Sequence, residues 1–394
     1  MKVPALCIPF GFLLMSFCAT APSLSTDWKK MTVTGDFLTE GLSTGDIDGD
    51  GIPDLVAGAF WFRGPEFNEA RPYRPGHAQP VDTYMEDSFL SWVDDLNGDR
   101  KNDILMVGRP GHETTIYLNP GATGEWTSHR ILEETSTESP IYIDLDGDGK
   151  KELVCMQGGR FGYAKRDASD VTKPWTFIPI SEKRTDSPFI HGLGVGDLNG
   201  DGRLDVIEKE GWFEQPAKIT DPWSYHPYAF AKAGGAQMLV FDVDGDGDAD
   251  IVTSLNGHGY GLAWFENRFN QDGKVDFIRH EILSEDGAQK GPGGLQVSEL
   301  HAMEAGDLDG DGRVDFVTGK RYWAHNGNDP GASDPALTVI FLNKKDGDSV
   351  RWEPHVLDEN FGVGCQIAVG DVTGDGKPDI AIGCKKGVVV FAPN

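Results

Sequence analysis

The sequence predicts an all-β chain folded as a seven-bladed β-propeller, and three observations predict it. A nine-residue pattern with an acid at positions 1, 3, 5 and 9 and glycines at 4 and 6 recurs seven times, with Asn or Thr at position 3 in three copies and Arg at position 6 in one, the copies 45 to 65 residues apart. An apolar, strand-like run follows each copy directly, such as Phe316-Val317-Thr318 after Asp315. Repeats of this period mean a propeller or a solenoid. The third observation closes the ring: residues 27 to 34 read as an outer strand, and the last repeat, ending at Asn394, lacks one. Pairing those two segments removes a free sheet edge.

Taken in order, each repeat reads as an inner strand A, the acidic loop, strand B, a connection, strand C and an outer strand D. Strand C carries aromatics (Phe60-Trp61-Phe62, Ile116-Tyr117-Leu118, Trp212-Phe213, Trp264-Phe265, Ile340-Phe341-Leu342), whose periodic recurrence favours packing between blades over a binding platform. Strand D carries an aromatic, a residue three on, then an apolar residue two further, as in Trp223/His226/Tyr228 and Phe277/His280/Ile282. The segment Trp28 to Val33 fits that pattern and is a displaced outer strand.

The acidic loops are pockets for a hard cation. Ca²⁺ takes 6 to 8 oxygens, and alternate side chains of a short, glycine-turned loop supply most of them. The expected ligands are Asp46, Asp48, Asp50 and Asp54 in repeat 1, and Asp95, Asn97, Asp99 and Asp103 in repeat 2. Repeat 3 offers Asp144, Asp146, Asp148 and Glu152, and repeat 4 offers Asp197, Asn199, Asp201 and Asp205. Asp242, Asp244, Asp246 and Asp250 follow in repeat 5, then Asp307, Asp309, Asp311 and Asp315, and finally Asp371, Thr373, Asp375 and Asp379. Up to seven Ca²⁺ are expected. Repeat 2 places Arg100 where the others have glycine, in a turn position that calls for positive φ, so its site is expected to be weaker or empty.

Composition agrees. A net charge of −28 with 39% hydrophobic and 10% aromatic residues describes a packed fold with acids concentrated in loops, and it disfavours nucleic acid as a partner. Residues 1 to 21, with Lys2, an apolar core and a small-residue exit, read as a secretory signal, leaving 22 to 394 as one propeller. Export follows, as a periplasmic, secreted or cell-surface protein. A lipid anchor at Cys18 is disfavoured by bulky Phe17, and no later stretch has the 18 apolar residues a membrane span needs. A monomer is favoured. Cys365 and Cys384 flank the last loop hairpin closely enough for one disulfide, the alternative being two buried thiols.

Function should sit on the face opposite the loops, where the D-to-A and B-to-C connections surround the channel mouth. Six residues before each loop the repeats read Glu40, Phe89, Glu138, His191, Ala236, His301 and Cys365, so a polar cluster is expected on repeats 4 to 6. The B-to-C connections add His112, His258 and the insertion Lys320-Arg321-Tyr322-Trp323-Ala324-His325. Lys320 is expected opposite His301, and Glu210 opposite His191. A base, a cation and a carboxylate in one mouth suit proton abstraction beside a carbonyl or carboxylate. In this reading His301 or His191 is the base, with Lys320, Arg321, His258 and His325 holding the anion. The converging histidines can equally hold one transition metal, Zn²⁺ or Mn²⁺. No Ser-His-Asp nucleophile motif, phosphate-binding loop or dinucleotide fingerprint is present.

The DxDGDGxxD loops at Asp46, Asp242 and Asp307, with the same pattern ending in Glu152 at Asp144, carry a resemblance to the FG-GAP/VCBS repeat family. That family is the seven-bladed calcium propeller repeat also found in integrin alpha heads, and the resemblance spans essentially residues 22 to 394. Histidines just ahead of the loops also look like the propeller part of the fungal aldos-2-ulose dehydratases, although this chain has no cupin domains. Several polysaccharide lyase families are propellers with a histidine-rich mouth as well. These likenesses imply a carbohydrate ligand and a lyase or dehydratase acting by β-elimination. The integrin likeness implies instead a non-catalytic glycan- or protein-binding module.

Overall fold

A computed structural model describes residues 27–235, 237–269, 274–347 and 349–394. The signal reading for residues 1 to 21, Cys18 and Ala236 lie outside these residues. The fold is all-β and propeller-like. Helix among the described residues is limited to two short 3₁₀ turns, Pro292–Gly294 and Ala324–Gly327.

Each repeat forms an antiparallel four-stranded set in the order A, B, C, D. In repeat 1 these are Ser43–Gly45, Asp54–Ala57, Phe60–Phe62 and Ala70–Pro72. Repeats 2 and 3 are joined in one sheet, because Thr127–Ile143 runs unbroken as the outer strand of one and the inner strand of the next. The expected displaced strand is present: Trp28–Thr34 pairs antiparallel with Gly387–Pro393, with Met31 opposite Val390.

Apolar clusters stitch each sheet to its neighbour. The strand C aromatics lie in these seams, with Trp61, Phe62, Trp212, Phe213, Trp264 and Phe265 all buried, so their role is packing. The last sheet packs on the first through Val388, Val390 and Ala381 against Leu42, Leu55 and Phe62. Inner strands approach closely where small residues allow it: a Cβ on Gly45 would lie 2.4 Å from Val93, and one on Gly196 would lie 2.2 Å from Val240. That approach gathers the chain just ahead of each loop around a common axis. Cys365 and Cys384 are free, buried thiols, which settles the disulfide alternative against a bond. Both lie in apolar packing, with Cys384 Sγ near Phe361 O.

Candidate functional site

The seven loops share one construction. The position-9 acid is buried in every repeat and accepts the amide of position 2, as from Ile47 to Asp54 at 2.8 Å and from Leu308 to Asp315 at 2.9 Å. In repeats 1, 2, 4, 5 and 6 its other oxygen accepts an amide in or just past strand C, locking the hairpin to the third strand. Burial pushes several of these carboxyls up, Asp205 and Asp250 to about 7. The position-1 acid draws the loop amides inward: Asp46 accepts those of Gly49, Asp50 and Gly51.

The donor set fits calcium. Ligand atoms of Asp46, Asp48 and Asp50, and of Asp144, Asp146 and Glu152, lie within 4.8 Å of one another. Asp144 Oδ1, Asp307 Oδ1, Asp379 Oδ1 and Thr373 Oγ1 are buried without a hydrogen-bond partner, oxygens that a cation would satisfy. Protein cations reach the same acids, with Arg63 Nη2 2.7 Å from Asp50 and Lys165 Nζ 2.9 Å from Asp148. In repeat 2, Arg100 has φ 67° and donates its amide to Asp95 Oδ2 as the glycines do. The loop geometry is therefore kept at the cost of a strained residue.

Four of the residues six before a loop, Glu40, Phe89, Glu138 and His301, converge on one guanidinium. Arg321 Nη1 donates to Glu138 Oε2 at 3.0 Å and lies 3.1 Å from His301 Nε2, while Nη2 is 3.6 Å from Glu40. Its plane lies near Phe89 and Tyr84, with centroids at 5.6 and 5.9 Å. Glu138 Oε2 also bonds His301 Nε2 at 2.9 Å. Burial alone would raise the Glu138 carboxyl, but the Arg321 charge and the two histidines hold it well below the usual range.

Four imidazoles cluster beside this hub. Ring centroids separate His191 from His301 by 5.0 Å, His191 from His258 by 4.8 Å and His258 from His325 by 4.2 Å. Asp329 binds Nδ1 of both His258 and His325 at 3.0 Å, leaving Nε2 of each ring for other partners. Burial and the neighbouring His191 and His325 lower His258 to about 4, and burial with Arg321 lowers His301 to about 3, so both are neutral at pH 7. Tyr84, Phe89, Arg109, Glu138, Phe189, His191, His258, Arg321 and His325 line a cavity of about 480 Å³.

Five of the six expected mouth residues therefore cluster, but their roles differ from expectation. His301 is fully enclosed and does not line the cavity, so it cannot meet a substrate directly. Lys320 pairs with Leu300 rather than His301, and its ammonium turns away to Glu299 at 3.3 Å, Asp334 O at 3.0 Å and Gly331 O. Neighbouring residues on a strand face opposite sides, so Lys320 cannot share the mouth with Arg321. Glu208 opposite Leu193 carries the register on to Glu210 beside His191 as expected, but the pairing ends there and the exposed Glu210 carboxylate sits 3.7 Å from Arg184 instead of entering the mouth. Glu138 supplies the carboxylate instead. The outer-strand histidines are structural, His226 and His280 stacking on Trp212 and Trp264 at 4.2 and 4.3 Å. Arg109, Tyr84, Phe189 and Asp329 were not among the expected site residues. They lie in connections without a repeating pattern, and only proximity to the insertion could have flagged Asp329.

Comparison with known proteins agrees with this architecture. Residues 95–155 and 307–382 match the FG-GAP-like repeat, and residues 39–64 match the FG-GAP repeat. Integrin alpha-PS2 of Drosophila melanogaster is 21% identical over 279 residues, 69% of this chain but only 18% of the integrin. Among solved structures, an Agrocybe aegerita lectin specific for non-reducing terminal N-acetylglucosamine superposes with a TM-score of 0.51 at 18% identity, covering 86% of this chain and 82% of the lectin. The BBS1N chain solved in complex with ARL6DN gives 0.53 at 12% identity, covering 94% and 97%. At these identities the structural likeness concerns the fold. No helix among the described residues is long and apolar enough to cross a membrane. FG-GAP and FG-GAP-like repeats thus occur near both ends of the described chain, and the chain is similar over part of its length to an integrin alpha.

Proposed function

We propose that this chain is an exported, seven-bladed propeller stabilised by Ca²⁺ in its loops, which binds a carbohydrate in the mouth cavity and acts on it as a lyase or dehydratase. The observation that carries the reading is the Asp329 carboxylate held between His258 Nδ1 and His325 Nδ1 at the edge of a cavity also lined by Arg321, Arg109 and three aromatic rings. Aromatic faces beside fixed polar groups suit a sugar ring, and a carboxylate that orients an imidazole makes a general base of its far nitrogen. A lectin among the fold neighbours puts carbohydrate first among the ligands to test.

His325, half-exposed and oriented by Asp329, is the base in this reading; the enclosed His301 is a positioning residue behind Glu138. The proton beside a carboxylate or carbonyl passes to His325 Nε2, and its electron pair forms a C=C bond. The bond to the β-oxygen then breaks, and the departing oxygen takes a proton from solvent. Arg109, which faces Phe189 with a centroid at 5.7 Å, neutralises the developing charge from the cavity wall. The backbone supports a functional role for this segment: Trp323, His325 and Asn326 all have positive φ (58°, 43° and 55°), strain of the kind that collects at sites.

The test is calorimetric titration with neutral and uronate-containing oligosaccharides, alongside ultraviolet detection of unsaturated product. Binding with turnover that His325→Ala abolishes while binding persists supports the enzyme. Binding without product in wild type establishes the non-catalytic glycan module instead, and no saccharide binding overturns both.

A further inference from the structure

We infer that the mouth also holds one divalent transition-metal ion, bound by His191, His258 and Glu138, distinct from the loop cations and independent of the sugar reading. Three observations converge on it. Ligand atoms of these three side chains lie within 4.8 Å of one another. His191 is more than nine-tenths buried, yet its Nε2 has no hydrogen-bond partner, although it lines the cavity. That nitrogen nevertheless lies 3.4 Å from Glu138 Oε2. Two ligands at about 2.0–2.1 Å from a tetrahedral metal are separated by roughly 3.3 Å, so the pair already has the spacing of one edge of a coordination sphere.

The surroundings are those of an outer shell. Asp329 on His258 Nδ1 fixes the tautomer and directs Nε2 elsewhere, the arrangement by which carboxylates prepare metal-binding imidazoles. Arg321 and His301 fix the Glu138 carboxylate in place through the same Oε2, at 3.0 and 2.9 Å. Two imidazoles and one carboxylate leave coordination positions open, here towards the cavity, where a sugar hydroxyl or carboxylate would enter. Imidazole nitrogens separate this site from the all-oxygen loops in metal preference: the loops take calcium, and the mouth takes zinc or a neighbouring first-row ion.

The experiment uses the full chain, stripped of metal and then equilibrated with excess Ca²⁺ and one to three equivalents of Zn²⁺, with retained zinc measured by mass spectrometry after gel filtration. One zinc per chain that calcium does not displace is expected, with Co²⁺ in its place giving visible d–d absorption. His191→Ala and His258→Ala should each remove it, with circular dichroism and calcium content unchanged. Asp329→Asn should weaken it about 10- to 100-fold without removing a ligand. No calcium-resistant zinc in wild type, or retained zinc that His191→Ala leaves in place, overturns the site. Saccharide binding measured on metal-free protein keeps this outcome separate from that of the carbohydrate reading.

Discussion

Replacing Arg321 with methionine tests the electrostatic organisation of the axis. The guanidinium is 4% exposed and serves two carboxylates that are themselves buried, Glu138 at 5% and Glu40 at 1%. Methionine keeps most of the apolar stem, so the loss is chiefly that of the guanidinium's charge and its contacts. Breaking a buried ionic group by removing one partner costs about 3–5 kcal/mol, and the two orphaned carboxylates here place Arg321→Met near 4 kcal/mol at pH 8. The sign with pH follows from Glu138. In the native protein its depressed pKa contributes stability above the unfolded value of 4.5, and that contribution is lost as pH falls through the folded value. Without Arg321, burial drives the same carboxyl above 4.5, so the variant gains relative stability as pH falls from 8 towards 5. Urea unfolding at saturating Ca²⁺ at both pH values measures the difference, and adding Glu138→Gln should restore about 2 kcal/mol at pH 8. A penalty below about 1 kcal/mol at pH 8, or one that does not shrink at pH 5, would refute the hub.

Three further outcomes are expected. Removal of Ca²⁺ by EGTA should lower the melting temperature by about 10 °C or more, since each ion held at a thousand times its Kd contributes about 4 kcal/mol to the folded state. Arg100→Gly should restore the geometry of the other loops and tighten calcium in repeat 2, raising ion content measured by mass spectrometry; its net stability gain, about 0.5 kcal/mol, is the left-handed strain relieved less the added freedom of the unfolded chain. Glu304, on the inner strand Leu300–Gly306, is pushed up to about 7 by burial against an ordinary 4.5, so its contribution to stability is lost as pH rises through 7. Glu304→Gln should therefore stabilise the protein by about 2 kcal/mol at pH 8, a figure reduced for partial hydration, with the two unfolding curves converging below pH 5.

The loops were legible because all that builds them is local: four oxygens and two glycines within nine residues, repeated until chance is excluded. The outer strand Trp28–Thr34 was legible because the repeat pattern showed a gap at one end and a surplus at the other. The mouth was half legible. The position six before each loop did name Glu40, Phe89, Glu138, His191 and His301, yet sequence alone cannot say which of them meet across an axis. Lys320 and Arg321 show the limit most plainly. They are adjacent cations in the same insertion, and an irregularity in register between Leu300 and Met303 decides which faces the bore. Asp329, nine residues beyond Lys320 in irregular chain, has no periodicity to betray it.

The pairing of Trp28–Thr34 with Gly387–Pro393 also constrains how the protein is made. The strand Trp28–Thr34 must wait for Gly387–Pro393, a contact spanning nearly the whole chain, and such long-range contacts slow folding because the intervening chain has to be ordered first. Until then the Gly387–Pro393 partner edge and its apolar seam with Leu42 and Leu55 stay uncovered, and a nascent or truncated chain presents them to its neighbours. Loss of a few residues from Trp28–Thr34 or Gly387–Pro393 should therefore act as a defect of assembly, producing aggregation during synthesis out of proportion to the number of contacts removed.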